Sequence, residues 1–247
     1  MTEELITHII YSYSYPILFL LTLVYFSILY FVLAPTFLYA CKGLKRLGLV
    51  NQISPAVRST TQLKFEIKHS FHAIIIFGFS VIPIIFLIRT GTITLSESTI
   101  TNTIVGLLLL IIWNEVHFFI VHRFMHTPFF MRTVHHIHHA SKVPSVYSVY
   151  SFHWFEAFLL STVPLTILPF INLSSLAIFL FPIVSILLNF AGHANYRFGK
   201  GHSANWTLFG TKHHAHHQQF SKNYGFASGL LDKLCQMTIS KINQQKK

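Results

Sequence analysis

From Ala157 to Tyr196 the chain runs for 40 residues without one Asp, Glu, Lys or Arg. A single bilayer crossing needs roughly 20 apolar residues, so this stretch is too long for one and suits two. Asn172, Ser174 and Ser175 interrupt it near its middle, which predicts a hairpin of spans over 155–171 and 173–190. Pro164, Pro169 and Pro182 lie inside it and predict kinks. Ile17 to Ala40, Phe71 to Ile88 and Ile100 to Val121 are three further apolar runs. Buried core helices of a soluble domain are the competing reading. They are excluded by composition, since only 10% of the 247 residues are charged, against about 25% in an ordinary soluble domain. The expected fold is all-α: an integral membrane helical bundle of about four to five spans.

Charge then supplies a direction. Lys and Arg total 18 against 7 Asp and Glu, a formal net charge of +11. Loop 41–70 holds six of the basic residues, loop 122–153 three and the tail 191–247 eight. Arg89 is the only one on the other alternate segments. Basic residues collect on the cytosolic side of membrane proteins, so five crossings with the N-terminus out and the C-terminus in are expected. The excess is an orientation signal, and no nucleic-acid partner follows from it. Cys41 and Cys235 form no CxxC pair and no disulfide framework. The acidic start, MTEEL, is unlike a signal peptide.

Histidine is the second anomaly. Of 17 histidines, 14 lie beyond Glu115, almost all on the segments that charge places in the cytosol. His122 and His126 stand four apart, which sets both imidazoles on one helical face, and Glu115 lies on that face too. His135-His136-Ile137-His138-His139 follows, then His213-His214-Ala215-His216-His217 with the same HxxHH spacing. In each unit the first and fourth positions can share a face while the fifth points about 100° further round. Such a unit can serve two neighbouring metals, or hold one and reach towards another. Short histidine tracts also occur as metal-sequestering tails, but these are embedded in ordinary sequence and repeat one spacing. Imidazole suits Fe, Zn, Cu or Ni and not Mg or Ca. Eight or more ligands exceed one coordination sphere, so two metals are expected, in a cap beneath the bundle.

HRFMH, HHIHH and KHHAHH, in that order after apolar spans, resemble the three histidine boxes of the fatty acid hydroxylase / sterol desaturase superfamily. The resemblance runs from about Glu115 to Gly229. It implies metal ligation by His122, His126, His135, His138, His139, His213, His216 and His217, with His153 and His193 as further ligands. His153-Trp154-Phe155-Glu156 stands where the family often has His-Pro-x-Glu, and His193 falls in the turn GHANYRF. Arg123 follows the first box as in the family, and Asn223-Tyr224 matches its Asn-Tyr pair after the last. Glu115 replaces the family's usual Asp, and the closing Trp-Asp motif survives only as Leu231-Asp232. Arg197 stands where the acyl hydroxylases carry a second histidine, which favours a sterol-desaturase-like subgroup. Glu115 is expected to orient a ligand imidazole and Glu156 to orient His153, with Asn223 also in a supporting role. His136 and His214 occupy the variable box positions. His8, His69, His72, His117 and His202 are read as structural or interfacial, as are Tyr147 and Tyr150.

The resemblance implies an O2-dependent hydroxylase or desaturase acting on an unactivated C–H bond of a membrane lipid, sterol-like or fatty acyl, through two Fe ions. Zinc is an alternative occupant of the purified protein. The chain has no GxGxxG, CxxC or CxxCH motif, and Gly199-Lys200-Gly201 lacks P-loop spacing. A separate electron donor is therefore expected: a reductase, ferredoxin or cytochrome-type protein. Residues 1–100 are read as an N-terminal membrane region and 101–247 as the catalytic histidine-box domain. Three rivals remain: a metal transporter or sensor, a zinc hydrolase using metal-bound hydroxide, and a degenerate family member that binds metal without turnover. Transport sites belong near the bilayer midplane, whereas these histidines follow the spans.

Overall fold

The computed structural model describes residues 2–56, 58–198 and 208–245. An N-terminal helix α1 (Thr2–Ser12) leads into α2 (Tyr15–Phe31), which starts at Ser14 with Pro16 in its first turn. Pro needs no backbone N–H there, and its fixed φ suits a helix start. α3 (Leu33–Arg46) continues almost directly from α2. A short strand β1 (Val50–Gln52) precedes α4 (Thr60–Arg89), capped by the Ser59 side chain. α5 (Ile100–Met125) is capped by Thr99 and α10 (Ser175–His193) by Ser174, each side-chain oxygen accepting a backbone N–H three residues on. Between them lie α6 (Pro128–Phe130), a single π turn at Met131–His135, α7 (His136–His139) and a 3-10 turn at Val146–Tyr150. α8 (Trp154–Ser161) and α9 (Val163–Ile167) follow. Strand β2 (Tyr196–Phe198) pairs antiparallel with β1, and α11 (Leu208–Gln219) and α12 (Leu230–Gln245) complete the described chain.

Among the described residues, four helical stretches are long and apolar enough to cross a membrane: Tyr15–Arg46, Thr60–Arg89, Ile100–Met125 and Ser175–His193. Leu20, Val24, Ile104, Leu108, Ile112, Phe79 and Phe86 are exposed on them, as lipid-facing side chains must be. The fourth expected span, 155–171, is not one continuous helix. It breaks at Thr162, ahead of Pro164 in the first turn of α9, so only Trp154–Ile167 is helical. This broken segment is fastened to α5 inside the bundle. Trp113 Nε1 donates to Thr166 Oγ1 at 2.9 Å, and His117 Nε2 lies 3.0 Å from Thr162 Oγ1. It still travels from the histidine end to the opposite end, where Leu173 packs with Ile93 in the far core cluster. α10 continues through Pro182 as one helix.

α5 and α10 run parallel, and their contacts fix their register. Thr103 Oγ1 lies 3.4 Å from Ser174 Oγ, and Ser96 bridges Ser174 as a parallel partner. Gly106 lies so close to α10 that a Cβ there would meet the Ala177 Cβ at 2.9 Å. One offset relates both pairs, and it also relates His122 to His193, the histidines that end the two helices.

The end away from the histidines is closed by the N-terminal helix. The Arg89 guanidinium donates to the Ile10 and Tyr13 carbonyl oxygens and lies 4.8 Å over the Tyr15 ring. The Glu3 carboxylate accepts from the Ser98 N–H at 3.0 Å. At the histidine end, one apolar cluster joins Tyr30 and Ala34 to Ile74, Phe77, Val149, Phe152 and Phe190. The core therefore unites helices from both sides of residue 100.

Candidate metal centre and its cavity

Three short elements bring the boxes together. His122 sits in the last turn of α5 and His126 caps its end. His135 ends the π turn, His138 and His139 lie on α7, and His213, His216 and His217 lie on α11. The result is two groups of imidazoles. In the first, ring nitrogens of His122, His126, His135, His139 and His216 all lie within 4.8 Å of one another. In the second, those of His138, His193, His213 and His217 do the same. The groups are adjacent: the His138 and His139 rings both approach His217, at 4.7 and 4.8 Å between centroids.

The partition within each HxxHH unit differs from the expected one. His135 sides with His139, and His213 with His217, while His138 and His216 cross to the opposite group. Helical geometry explains it. Positions four apart differ by about 40° around the axis and positions three apart by about 60° in the other sense, so the first and fifth residues are the closer pair. Each unit thus gives two imidazoles to one group and one to its neighbour.

The outward nitrogens are tied down. His122 Nδ1 donates to the Tyr224 carbonyl at 2.9 Å, His193 Nδ1 to that of Asn189 at 3.0 Å, and His216 Nδ1 to that of Lys222 at 2.7 Å. His135 Nδ1 donates to Glu156 Oε1 at 2.8 Å. A proton on Nδ1 leaves a lone pair on Nε2. Those lone pairs converge: His135 Nε2 lies 3.1 Å from His126 Nε2, and His213 Nε2 lies 2.9 Å from His193 Nε2. His122 Nε2 and His216 Nε2 are buried without any hydrogen-bond partner. Buried acceptors are rarely left unpaired, and acceptors aimed at one point fit a cation between them. The donor set is imidazole alone, which fits a first-row transition metal.

Burial keeps these rings neutral. It pushes His126 down to about 2 and His216 to about 4, with neighbouring imidazoles adding to the effect and the Lys222 carbonyl opposing it at His216. His138, His139, His213 and His217 are held well below the ordinary imidazole value for the same first reason. Neutral imidazole is the form that binds metal.

The remaining expected residues fall as follows. His153 lies in neither group; its ring caps α8, Nδ1 accepting from the Phe155 N–H at 3.3 Å. Glu156 therefore orients His135 and not His153. Among the described residues, Glu115 hydrogen-bonds no imidazole. Its carboxylate accepts from the Ala227 N–H at 2.8 Å and from the Ser228 N–H and hydroxyl at 3.2 Å, which anchors the segment whose Tyr224 carbonyl holds His122. Asn223 adopts a left-handed φ of 62° and donates to the Lys212 carbonyl at 3.4 Å. Arg123 lies 5.3 Å over the Tyr224 ring, and Arg197 sits in β2 opposite Asn51. Among the other histidines, His136 is exposed and His214 Nε2 faces Gln218 Nε2 at 3.1 Å. His69 Nδ1 donates to the Phe65 carbonyl, and His8 Nδ1 lies 3.1 Å from the Ser12 hydroxyl. His202 and Gly199-Lys200-Gly201 lie outside the described residues.

Sequence reasoning missed Glu66. It is fully buried on α4 and accepts from Ser141 Oγ at 2.7 Å, Ser145 Oγ at 2.6 Å and Gln62 Nε2 at 2.8 Å, so it pins the loop after the second box. Asp232 accepts from the Tyr224 and Gly225 N–H groups at 2.9 and 3.0 Å. The signal was scarcity: of seven acidic residues, Glu66, Glu115, Glu156 and Asp232 all brace the histidine boxes.

Behind the histidines lies a mainly apolar cavity of about 160 Å³, lined by residues of α2, α4, α5, α8, α9 and α10. Two of its walls touch the imidazoles directly. Phe152 packs on His138 and Phe118 on His122, each at 4.9 Å between centroids. Asn189, whose carbonyl holds His193, lines it as well. A hydrocarbon in the cavity would therefore lie one aromatic ring away from each group.

The family model described as fatty acid hydroxylase matches residues 107–237, which carry all nine grouped histidines and just over half the chain. The chain belongs to the fatty acid hydroxylase family. That membership gives it lipid oxidation of the hydroxylase or desaturase type, and with four spanning-length helices it is a membrane protein. Neither the curated proteins nor the solved structures compared with it give a match.

Proposed function

We propose that the protein is an O2-dependent lipid oxidoreductase that hydroxylates or desaturates an unactivated C–H bond, sterol-like or fatty acyl, at two iron ions held by the nine grouped histidines. The observation that supports this is one mainly apolar cavity inside the bundle whose walls Phe118 and Phe152 each pack on an imidazole of a different group. Bound iron would supply O2 activation, with electrons from a separate donor protein. His122, His126, His135, His139 and His216 would hold one ion, and His138, His193, His213 and His217 the other. His153 is not in this set. The histidine face is cytosolic in this proposal, since the basic loops share its end, and a soluble donor can dock there.

The chain's own side chains do three things. Glu156 and three backbone carbonyls fix the tautomers, so every constrained ring presents Nε2 inward. Phe118, Phe152 and Phe226 line the cavity beside the imidazoles and keep water from the reacting carbon. Glu115 and Asp232 hold the 224–228 segment over the first group.

The test is oxidation of membrane lipid by the purified protein supplied with ferrous iron, reductant and O2, with His138→Ala as control. Product only when O2 is present is the expected result. Oxidised product that persists under strict anaerobiosis overturns the oxygenase reading. A well-folded protein that holds far less than one metal ion per chain overturns the di-metal reading.

A further inference from the structure

The cavity is mainly apolar, with a few polar side chains in its wall. Asn114 lies on α5, 8% exposed, lines the cavity, and its side-chain carboxamide has no hydrogen-bond partner among the described residues. The parallel register that joins Thr103 to Ser174 and Gly106 to Ala177 places Ser185 of α10 at the same level. Ser185 also lines the cavity, and its hydroxyl too has no partner among the described residues. Across from them α4 and α8 close the wall with Ser80 and Ser161, but these hydroxyls are spent on each other at 2.6 Å and on the Ile76 and Phe158 carbonyls. The rest of the lining is Phe, Val, Ile, Leu and Pro together with Tyr150 and with Asn189, whose Nδ2 donates to the Val149 carbonyl at 3.4 Å.

An amide inside a spanning helix, buried and unpaired, is costly unless something in the cavity satisfies it. Asn114 stands eight residues before His122, and Ser185 eight before His193, so both lie about 12 Å below the histidine layer at 1.5 Å per residue. We propose that Asn114 and Ser185 form a polar collar that binds an alcohol oxygen carried on the substrate, which fixes the substrate's depth and so the carbon presented to the metals. This rests on the lipid-oxidation reading and narrows it. The substrate class is a lipid alcohol with its hydroxyl about 12 Å from the reacting carbon along the cavity, and not a plain saturated chain. The Asn114 carboxamide suits an alcohol because it offers both an acceptor and donors, and Ser185 supplies a second partner. Sites built to bond a substrate hydroxyl reject the analogue that lacks it far more strongly than apolar pockets reject an extra methylene.

Equilibrium binding to the full-length protein in nanodiscs, measured with and without iron, tests this apart from turnover. The probes are a 3β-hydroxysterol against its 3-deoxy hydrocarbon, and octadecan-1-ol against octadecane. At least a tenfold preference for the alcohol in one of the pairs is expected. Asn114→Leu should abolish the preference while leaving the hydrocarbon's affinity within about threefold, and Ser185→Ala should reduce it. Equal affinities within both pairs for the wild type overturn the proposal, as does an Asn114→Leu protein that still prefers the alcohol. Should Asn114→Leu not fold, the wild-type ratios and Ser185→Ala decide alone. A wild type without alcohol preference but with O2-dependent oxidation intact sinks the collar only. Alcohol preference without oxidation under any condition sinks the reaction only.

Discussion

Glu156 is one carboxylate on the first turn of α8, yet it determines which nitrogen of His135 faces the metal position. Its neutral amide counterpart keeps the shape and loses the charge-assisted bond. Glu156→Gln is therefore expected to weaken metal binding in the first group about 10–100-fold, read by competition with a chelator; unchanged affinity would mean that His135 is oriented by packing alone. Gly225 makes a different demand. A Cβ there would collide with the Ser228 carbonyl oxygen and press on Glu115 Oε1 at 3.0 Å, within the turn that carries Tyr224. Gly225→Ala should cost about 1–3 kcal/mol in thermal or denaturant unfolding and loosen His122, whose Nδ1 depends on that turn. These supporting roles were barely legible in the sequence. The acids could be counted as rare, but the residues that Glu156, Glu66 and Glu115 hold on the box segments lie 21 to 113 residues away, and no local spacing encodes them.

At the scale of elements, the HxxHH units on α7 and α11 each feed both groups. His139→Ala should remove an ion from the first group only and His217→Ala from the second, each taking metal content from about two towards one per chain by elemental analysis. Equal loss from both groups in either variant would show that the two positions fill as one. The same packed helices set a pH dependence for the metal-free protein. His216 titrates at about 4 in the folded chain, against the ordinary imidazole value of 6.5. Between those values the unfolded chain binds the extra proton, so stability rises with pH through the window and falls on acidification. The expected loss is about 1.4 kcal/mol per pH unit for one such imidazole. A melting temperature flat from pH 6.5 to 4 would contradict it. The identity of the boxes, their order and their helical placement were legible from spacing. The break at Thr162 was not, because Pro164 signals a kink without saying whether the helix resumes.

The whole molecule is a helical bundle with its grouped histidines at one end. Arg89 and Glu3 close the other end onto the N-terminal helix. If the basic loops mark the cytosol, single cysteines placed near Lys142 or Lys222 should react with impermeant reagents only from that side. A cysteine near Thr92 should react only from the opposite side. Reversal would invert the proposed orientation and move the donor's docking face to the other compartment.

Composition and periodicity alone determined that this chain is a helical membrane protein with a histidine-rich end whose clusters could hold metal, because apolar run length and ligand spacing are local properties. The partition of nine imidazoles between two positions, the four acids that brace them, and the unpaired amide facing the cavity belong to the tertiary structure. Each depends on how α4, α5, α8 and α10 pack. That packing brings together residues whose separations along the chain carry no period.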